Sequence, residues 1–381
     1  MNEKVYMDYA ATTPVDPRVV DAMKPFFTDK FGNSAALYSV GQEAEQVLED
    51  CRRKVARILG VKPEEIFFTS GGTESDNLAL KGTAFSKGKG HIITSKIEHH
   101  AILHPAEWLE KRGFSVTYLP VDKYGTVSPE SVEQAIRDDT ILVSVMHGNN
   151  EIGTLEPIDE IGKVCRKNNV PFHTDAVQTV GKVPVNMKHV DMLSSSSHKL
   201  YGPKGVGIIF VREGTKLVPL LHGGGHEHGM RSGTENIASI VGYTKALELA
   251  TKEMKKEDKR LTELRRKLIE GLEKIPDSWL NGHPEKRLAG NVHFCFRFIE
   301  GESLILLLDQ KGIEASTGSA CSSKSLKPSH VLTAIGLKPE EAHGSLRLTM
   351  GRFTKEEDVE KVLETVPGVV ERLRKISPLR K

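Results

Sequence analysis

The chain has 381 residues, 38% of them hydrophobic, and 53 basic against 51 acidic side chains leave a formal charge of +2. That length asks for two cores rather than one, and the near-balance of charge excludes a general electrostatic pull toward nucleic acid or a membrane surface. No stretch approaches the ~20 apolar residues of a membrane span, and the start, Met1-Asn-Glu-Lys-Val-Tyr-Met-Asp8, lacks a signal-peptide apolar region, so the expected location is the cytoplasm.

Five β-rich runs end in chemically capable side chains. Glu65-Ile-Phe-Phe-Thr-Ser-Gly-Gly-Thr73-Glu-Ser-Asp-Asn77 reads as strand, glycine loop and helix start. His91-Ile-Ile-Thr-Ser-Lys-Ile-Glu-His99-His100 ends in imidazoles, Thr140-Ile-Leu-Val-Ser-Val-Met-His-Gly-Asn-Asn150 in amides, and Val170-Pro-Phe-His-Thr-Asp175-Ala-Val-Gln178 in a carboxylate and an amide. The fifth, Val190-Asp-Met-Leu-Ser194-Ser-Ser-Ser-His198-Lys199, ends in hydroxyls and a His-Lys pair. Continuous Val/Ile/Leu/Phe runs separated by helical patterns are buried strands of a largely parallel, doubly wound sheet, here over residues 12–233. Ligands bind such sheets at the carboxyl ends of the strands, so the five polar ends are expected to converge. A lysine amine beside hydroxyls that can hold an anion is what a Schiff base to pyridoxal phosphate requires. The following Gly202-Pro-Lys-Gly205 lacks the spacing of a phosphate loop.

Residues 234–275 carry apolar positions at helical spacing up to Pro276, as one long helix or two in series connecting the domains. The mixed charges of 252–267 read as a solvated face. A strand over 291–298, a helix over 302–308 and a closing helix over 355–376 make a smaller α+β unit. The four cysteines form no Cys-x-x-Cys pair, and Cys51, Cys165 and Cys295 lie on helix, helix and strand patterns as packing groups. Cys321 sits instead in Glu314-Ala-Ser-Thr-Gly-Ser-Ala-Cys321-Ser-Ser-Lys324, a stretch too poor in large apolar groups to be anchored by burial, so a mobile loop is expected. His226 and His228 have ligand-like spacing but no third ligand in register, and no metal is expected.

Met7-Asp-Tyr-Ala-Ala-Thr-Thr-Pro14, Phe67 to Asn77, Met146-His-Gly-Asn-Asn-Glu-Ile-Gly153, the His198-Lys199 segment, Gly223-Gly-Gly-His-Glu-His-Gly-Met-Arg-Ser-Gly-Thr234 and Gly318-Ser-Ala-Cys321 span nearly the whole chain. Together they resemble the cysteine desulfurases of the NifS/IscS family, within the class V aminotransferase group of pyridoxal-phosphate enzymes. The long stretch around Cys321 resembles the group serving iron–sulfur assembly.

The resemblance implies pyridoxal-phosphate fold type I, an α/β large domain (12–250) with a mostly parallel sheet flanked by helices. It also implies a smaller α+β domain (1–11 with 251–381) carrying the Cys321 loop. Lys199 would hold the cofactor covalently, Asp175 face its pyridine nitrogen, Gln178 hydrogen-bond its 3-oxygen, and His99 stack on the ring as acid/base. Thr73, Ser196 and His198 would hold the phosphate, and Thr234 would reach the phosphate of a neighbouring subunit, implying a homodimer. Asn150 would contact cofactor and substrate, and Arg347 would bind the substrate carboxylate through its two-donor fork, a surface ion pair being its alternative. The implied reaction takes sulfur from L-cysteine to leave L-alanine and a persulfide on Cys321, for an IscU-like iron–sulfur scaffold or other thio-cofactor or tRNA-thiolation acceptors. Rival expectations are another class V activity, such as a selenocysteine lyase or aminotransferase, and a non-catalytic carrier with Cys321 as an iron–sulfur ligand. Two departures stand out: Ser197 precedes His198 where many relatives have glycine, and the end at Lys381 is short for scaffold docking.

Overall fold

The computed structural model describes residues 4–318 and 328–378, so the expectations for Cys321 and Lys324 lie outside the described residues. A seven-stranded sheet runs in the order Ile66–Thr69, Gly207–Val211, Met192–Ser196, Phe172–Asp175, Thr140–Ser144, His91–Ser95, Ser115–Leu119. Its pairings are parallel except at Gly207–Val211, which is antiparallel to both neighbours. Two antiparallel steps restore direction, so Ile66–Thr69 points the same way as the five parallel strands. The carboxyl ends of all five runs therefore meet at one edge.

Burial explains the continuous apolar strands: every residue of Gly207–Val211 and of Met192–Ser196 is buried. Helices cover both faces because each carries an apolar stripe. Ser39–Leu59 buries Ala44, Leu48, Cys51 and Val55, and Ile158–Lys167 buries Ile158, Ile161 and Cys165, both at helical spacing. After Ile66–Thr69 the chain turns at Gly71 and enters a helical run made of Gly72–Asn77, a π-helical turn Leu78–Gly82 and Thr83–Lys87. A Cβ on Gly72 would stand 2.7 Å from Val177 Cγ2, so only glycine lets this helix start so close to the sheet.

The connector is one helix, Ile237–Leu272, of 36 residues, about 54 Å long. Asn236 caps it, its side chain accepting from Ser239 N–H, which places the start three residues after the expected one. Its first half buries Ile237, Ile240, Leu247 and Ala250 in the core beneath the large sheet. Its last turns bury Leu264, Leu268 and Leu272 in a second core with Val5, Met7, Phe294 and Leu348.

That second core lies on a three-stranded antiparallel sheet of Ser278–Leu280, Asn291–Phe296 and Ser345–Thr349. The middle strand stops short of the expected residue 298 because Phe298 takes a left-handed φ of 68°. Gly301–Gln310 extends the expected 302–308 at both ends, and Glu356–Ile376 closes the described chain. At the amino end Val5–Tyr6 pairs with Ile313–Glu314, and Asp8 bridges to Thr349, so the first residues belong to the second core.

Candidate active site

At the carboxyl edge of the large sheet lies a cavity of about 330 Å³, a size suited to a small cofactor. Thr73, His99, Asn150, Asp175 and Lys199 line it, one from the end of each of the five runs, and Arg347 closes it from the second sheet. Gln178, Ser196 and His198 also reach it. The structure thus brings together every expected site residue within the described chain except Thr234. That residue is exposed, at the end of the excursion between Val211 and Ile237, and does not line its own chain's cavity.

Lys199 leaves the sheet through the short helical turn Ser197–Lys199. Its Nζ donates to the carbonyls of Ala10 and Ala11 at 2.5 and 2.7 Å. Asp175, 6% exposed, ends its strand and accepts from Val177 N–H at 2.9 Å. Burial raises its carboxyl well above the ordinary range, and the charge of Lys199 opposes that rise. Gln178 donates to Ala10 carbonyl at 3.0 Å, and His198 Nδ1 lies 3.1 Å from the Thr12 hydroxyl.

His99 caps the helix His100–Glu110, its Nδ1 accepting from Ala101 N–H at 3.1 Å. The proton of the neutral ring is therefore assigned to Nε2. Burial, with the charge of Lys199 behind it, holds this imidazole at about 4, so it is neutral at physiological pH and presents an N–H donor. Beside it His100, His104 and His330 crowd together, ring centroids 4.7 and 4.9 Å apart. Among the described residues no group of three His, Cys, Asp or Glu side chains is arranged to hold a metal. His226 accepts from Gly233 N–H at 3.2 Å.

Arg347 is 2% exposed, so the alternative of a surface ion pair is corrected to a buried one. Its Nη2 donates to Asp8 at 2.6 Å and its Nη1 to Asn150 carbonyl at 2.9 Å, while Nε has no partner among the described residues. Asp8 stands in the Met7-to-Pro14 segment, where sequence reasoning assigned it no task, because nothing local marks a contact across 339 residues. Glu151, beside Asn150, was missed in the same way; its carboxylate accepts from Ser329 Oγ at 2.6 Å.

Two kinds of group line the cavity with the Lys199 amine. A glycine-opened helix start with Thr73, Ser196 and His198 suits an anion, and a buried carboxylate, Asp175, suits a cationic ring nitrogen. Gly71 turns at φ 148°, a conformation that residues with a side chain rarely adopt, and a Cβ there would occupy the space 3.7 Å from Ser196 Oγ; the residues present fit pyridoxal phosphate.

Fold and donor set define a pyridoxal-phosphate enzyme of the parallel-sheet kind. The profile of the aminotransferase class-V family matches residues 5–362. The cysteine desulfurase IscS of Methanosarcina thermophila is 57% identical over 99% of this chain and 95% of its own. A solved NifS-like protein superposes with a TM-score of 0.91 at 41% identity, over 97% of this chain and all of that one. A structure of SspA in complex with cysteine superposes at 0.82 with 39% identity, over 91% and 98%. The chain belongs to the class-V aminotransferase family and, within it, to the pyridoxal-phosphate-dependent NifS/IscS cysteine desulfurases.

Proposed function

We propose that this chain is an L-cysteine desulfurase: L-cysteine and the Cys321 thiol give L-alanine and a Cys321 persulfide, which supplies iron–sulfur assembly. The carrying observation is the cavity where Lys199 and the buried Asp175 share one wall, in a chain 57% identical to a cysteine desulfurase. A non-catalytic carrier leaves that wall without a task. Pyridoxal phosphate, when bound, supplies an electron sink for the substrate Cα.

The chain's own residues do the rest. Lys199 Nζ anchors the cofactor and moves the Cα proton. Asp175 would keep a negative charge for the ring nitrogen, and Gln178 would hydrogen-bond the ring oxygen. Thr73, Ser196 and His198 would hold the phosphate, His99 would offer its Nε2–H in the cavity, and Asn150 with Arg347 would orient the substrate carboxylate. The Cys321 thiolate forms the new S–S bond as the substrate Cβ–Sγ bond breaks; the electron pair stays with Cβ, which gains a proton.

Thiolate chemistry separates Cys321 from the other cysteines. Cys51, Cys165 and Cys295 are buried, and burial raises all three thiols, the latter two to about 12, so they stay protonated at neutral pH. The two separate cores support a division into 12–250 and 1–11 with 251–381. The exposure of Thr234 supports a homodimer in which it serves the partner's phosphate site. The IscS relatives favour a scaffold acceptor of the IscU kind and a cytoplasmic site; among the described residues no helix is long and apolar enough to cross a membrane.

The test is cysteine turnover with mass spectrometry of the protein. Sulfide and alanine are expected, with extra sulfur on Cys321 alone. Cys321→Ser should keep the cofactor colour and bind cysteine without forming persulfide. Extra sulfur on Cys51, Cys165 or Cys295, or a wild-type rate in Cys321→Ser, would sink the proposal.

A further inference from the structure

Behind the cavity wall lies a buried acid that the desulfurase reaction leaves without a task. Asp76, on the first turns of the helix that follows Gly71, is 1% exposed and lines the same cavity as Asp175. Among the described residues its Oδ1 has no hydrogen-bond partner within normal distance, and His173 Nε2 stands 3.7 Å from that oxygen. His173 is fully buried two residues before Asp175 on the same strand, so both side chains face one side of the sheet. Both of its ring nitrogens are engaged, Nδ1 with the Ser144 hydroxyl at 2.9 Å and Nε2 with the Ser194 hydroxyl at 3.0 Å. Ser194 in turn is the register partner of Asp175 on the next strand. Asp76, His173, Ser194 and Asp175 are thus one buried polar group.

Its charge has few solutions. Glu98 faces the same interior from the end of its own strand, fully buried, with Oε2 also unpartnered. Burial first, and the charge of Asp175 after it, push the Asp76 carboxyl well above the ordinary range, against a hydrogen bond from the Ser194 hydroxyl that favours the anion; burial pushes Glu98 up to about 8 and His173 down to about 3. A neutral His173 gives no counter-charge, and the cation facing Asp175 is Lys199. Carboxylates that share a dry site do not all ionise, so protons stay on some of them.

We propose that Asp76 is a positioning residue that acts as a neutral carboxylic acid, donating a hydrogen bond to Asp175 so that Asp175 alone carries the negative charge facing the cofactor's ring nitrogen. The proton stays on Asp76 throughout turnover. This rests on the pyridoxal-phosphate reading of the cavity.

An amide is nearly the shape of a neutral acid, donates from nitrogen and cannot ionise, whereas alanine does none of this. Holoenzymes reconstituted with ring-nitrogen-15-labelled pyridoxal phosphate report ring protonation directly by chemical shift, and visible absorbance follows it between about pH 6 and 10. Wild type and Asp76→Asn are expected to share the protonated shift at neutral pH, and Asp76→Ala to move toward the unprotonated value. Glu98, at about 8, titrates in the same window, so the alkaline titration is run with Glu98→Gln in both proteins: with Asp76 intact a spectral step should appear as Asp76 loses its proton, and with Asp76→Asn it should be lacking. That step can be read even where Asp76→Ala does not fold. An unprotonated shift in Asp76→Asn would mean that Asp76 works as an anion, and an alkaline step kept when Asp76→Asn is combined with Glu98→Gln would mean that the step does not belong to Asp76; either overturns the proposal. Asp175→Asn is the control for the underlying reading: if the ring stays protonated there, the Asp175 assignment fails first, and this inference with it.

Discussion

At the scale of single residues the cavity sets different tasks for neighbouring groups, and their substitutions should separate accordingly. In the proposed mechanism Lys199→Ala removes both the covalent anchor and the amine that moves the Cα proton. Loss of proton transfer alone is worth about 10²–10⁴-fold in rate, so alanine production should be essentially abolished while the fold is kept; near-normal production would show that another group does this work. Arg347→Lys should act differently. Lysine keeps a charge for Asp8 but not the fork that also reaches the Asn150 carbonyl, so KM for cysteine should rise more than kcat falls. Lys199, Asp175 and His99 were legible in the sequence because each ends an apolar run, where sheet geometry collects ligand-binding groups. Asp8 and Asp76 were not, because their roles come from partners on other elements. Asp76 meets His173 on a strand nearly a hundred residues later, and no local pattern carries such a contact.

Among elements, the segment between Val211 and Ile237 shows how a strained piece of chain is held. Glu227 and His228 both take left-handed backbone conformations, φ 51° and 55°, each a strain of about 1–3 kcal/mol for a residue with a side chain. What offsets it is Arg52, buried on the helix Ser39–Leu59, whose two terminal nitrogens grip the Glu227 carboxylate at 2.8 and 2.9 Å. The same carboxylate accepts from Phe68 N–H at 2.7 Å, tying the segment to the strand Ile66–Thr69. Glu227→Ala would take the two-pronged carboxylate from a buried guanidinium and leave it Glu49 on Nε and the Ile66 carbonyl on Nη1; the cost should approach the about 3–5 kcal/mol of a broken buried pair and lower the thermal midpoint by several degrees. A change under about 1 kcal/mol in urea unfolding would show that the pair does not anchor the segment. Just before the anchored pair the chain bends at Gly225, with φ 80°. The anchor was hidden because Arg52 sits in a helix pattern that reads like any surface-charged turn, 175 residues from its partner.

For the whole molecule, buried titratable groups set the pH range of stability, and the proposed two-fold assembly would complete the site. Burial holds the imidazoles of His147, His173 and His293 at about 4, 3 and 3. Between the ordinary ~6.5 and those values the unfolded chain binds protons that the folded chain refuses. Their contribution is therefore whole above pH ~6.5 and is lost as pH falls through that window, each imidazole giving up about 1.4 kcal/mol for every pH unit crossed. Glu98 works the other way, favouring the fold in acid and losing that contribution as pH rises toward about 8. The thermal midpoint should accordingly fall on acidification from about pH 6.5 to 4, less steeply in His147→Asn, which removes one of the refused protons. The second prediction turns on Thr234, which its own chain leaves exposed and away from the cavity. In a closed two-fold dimer each subunit can lend this hydroxyl to the other's phosphate site. If it does, Lys199→Ala and Thr234→Ala, each inactive as a homodimer, complement when mixed. In the mixed dimer one site then carries both lesions, and the other combines an intact lysine with an intact threonine. Random exchange of equal amounts makes half the dimers mixed, so about one quarter of all sites should recover. Exchange proved by mass spectrometry with no recovery of alanine production would place Thr234 in its own subunit's service or in none, and the exposure of this residue would then no longer argue for a homodimer.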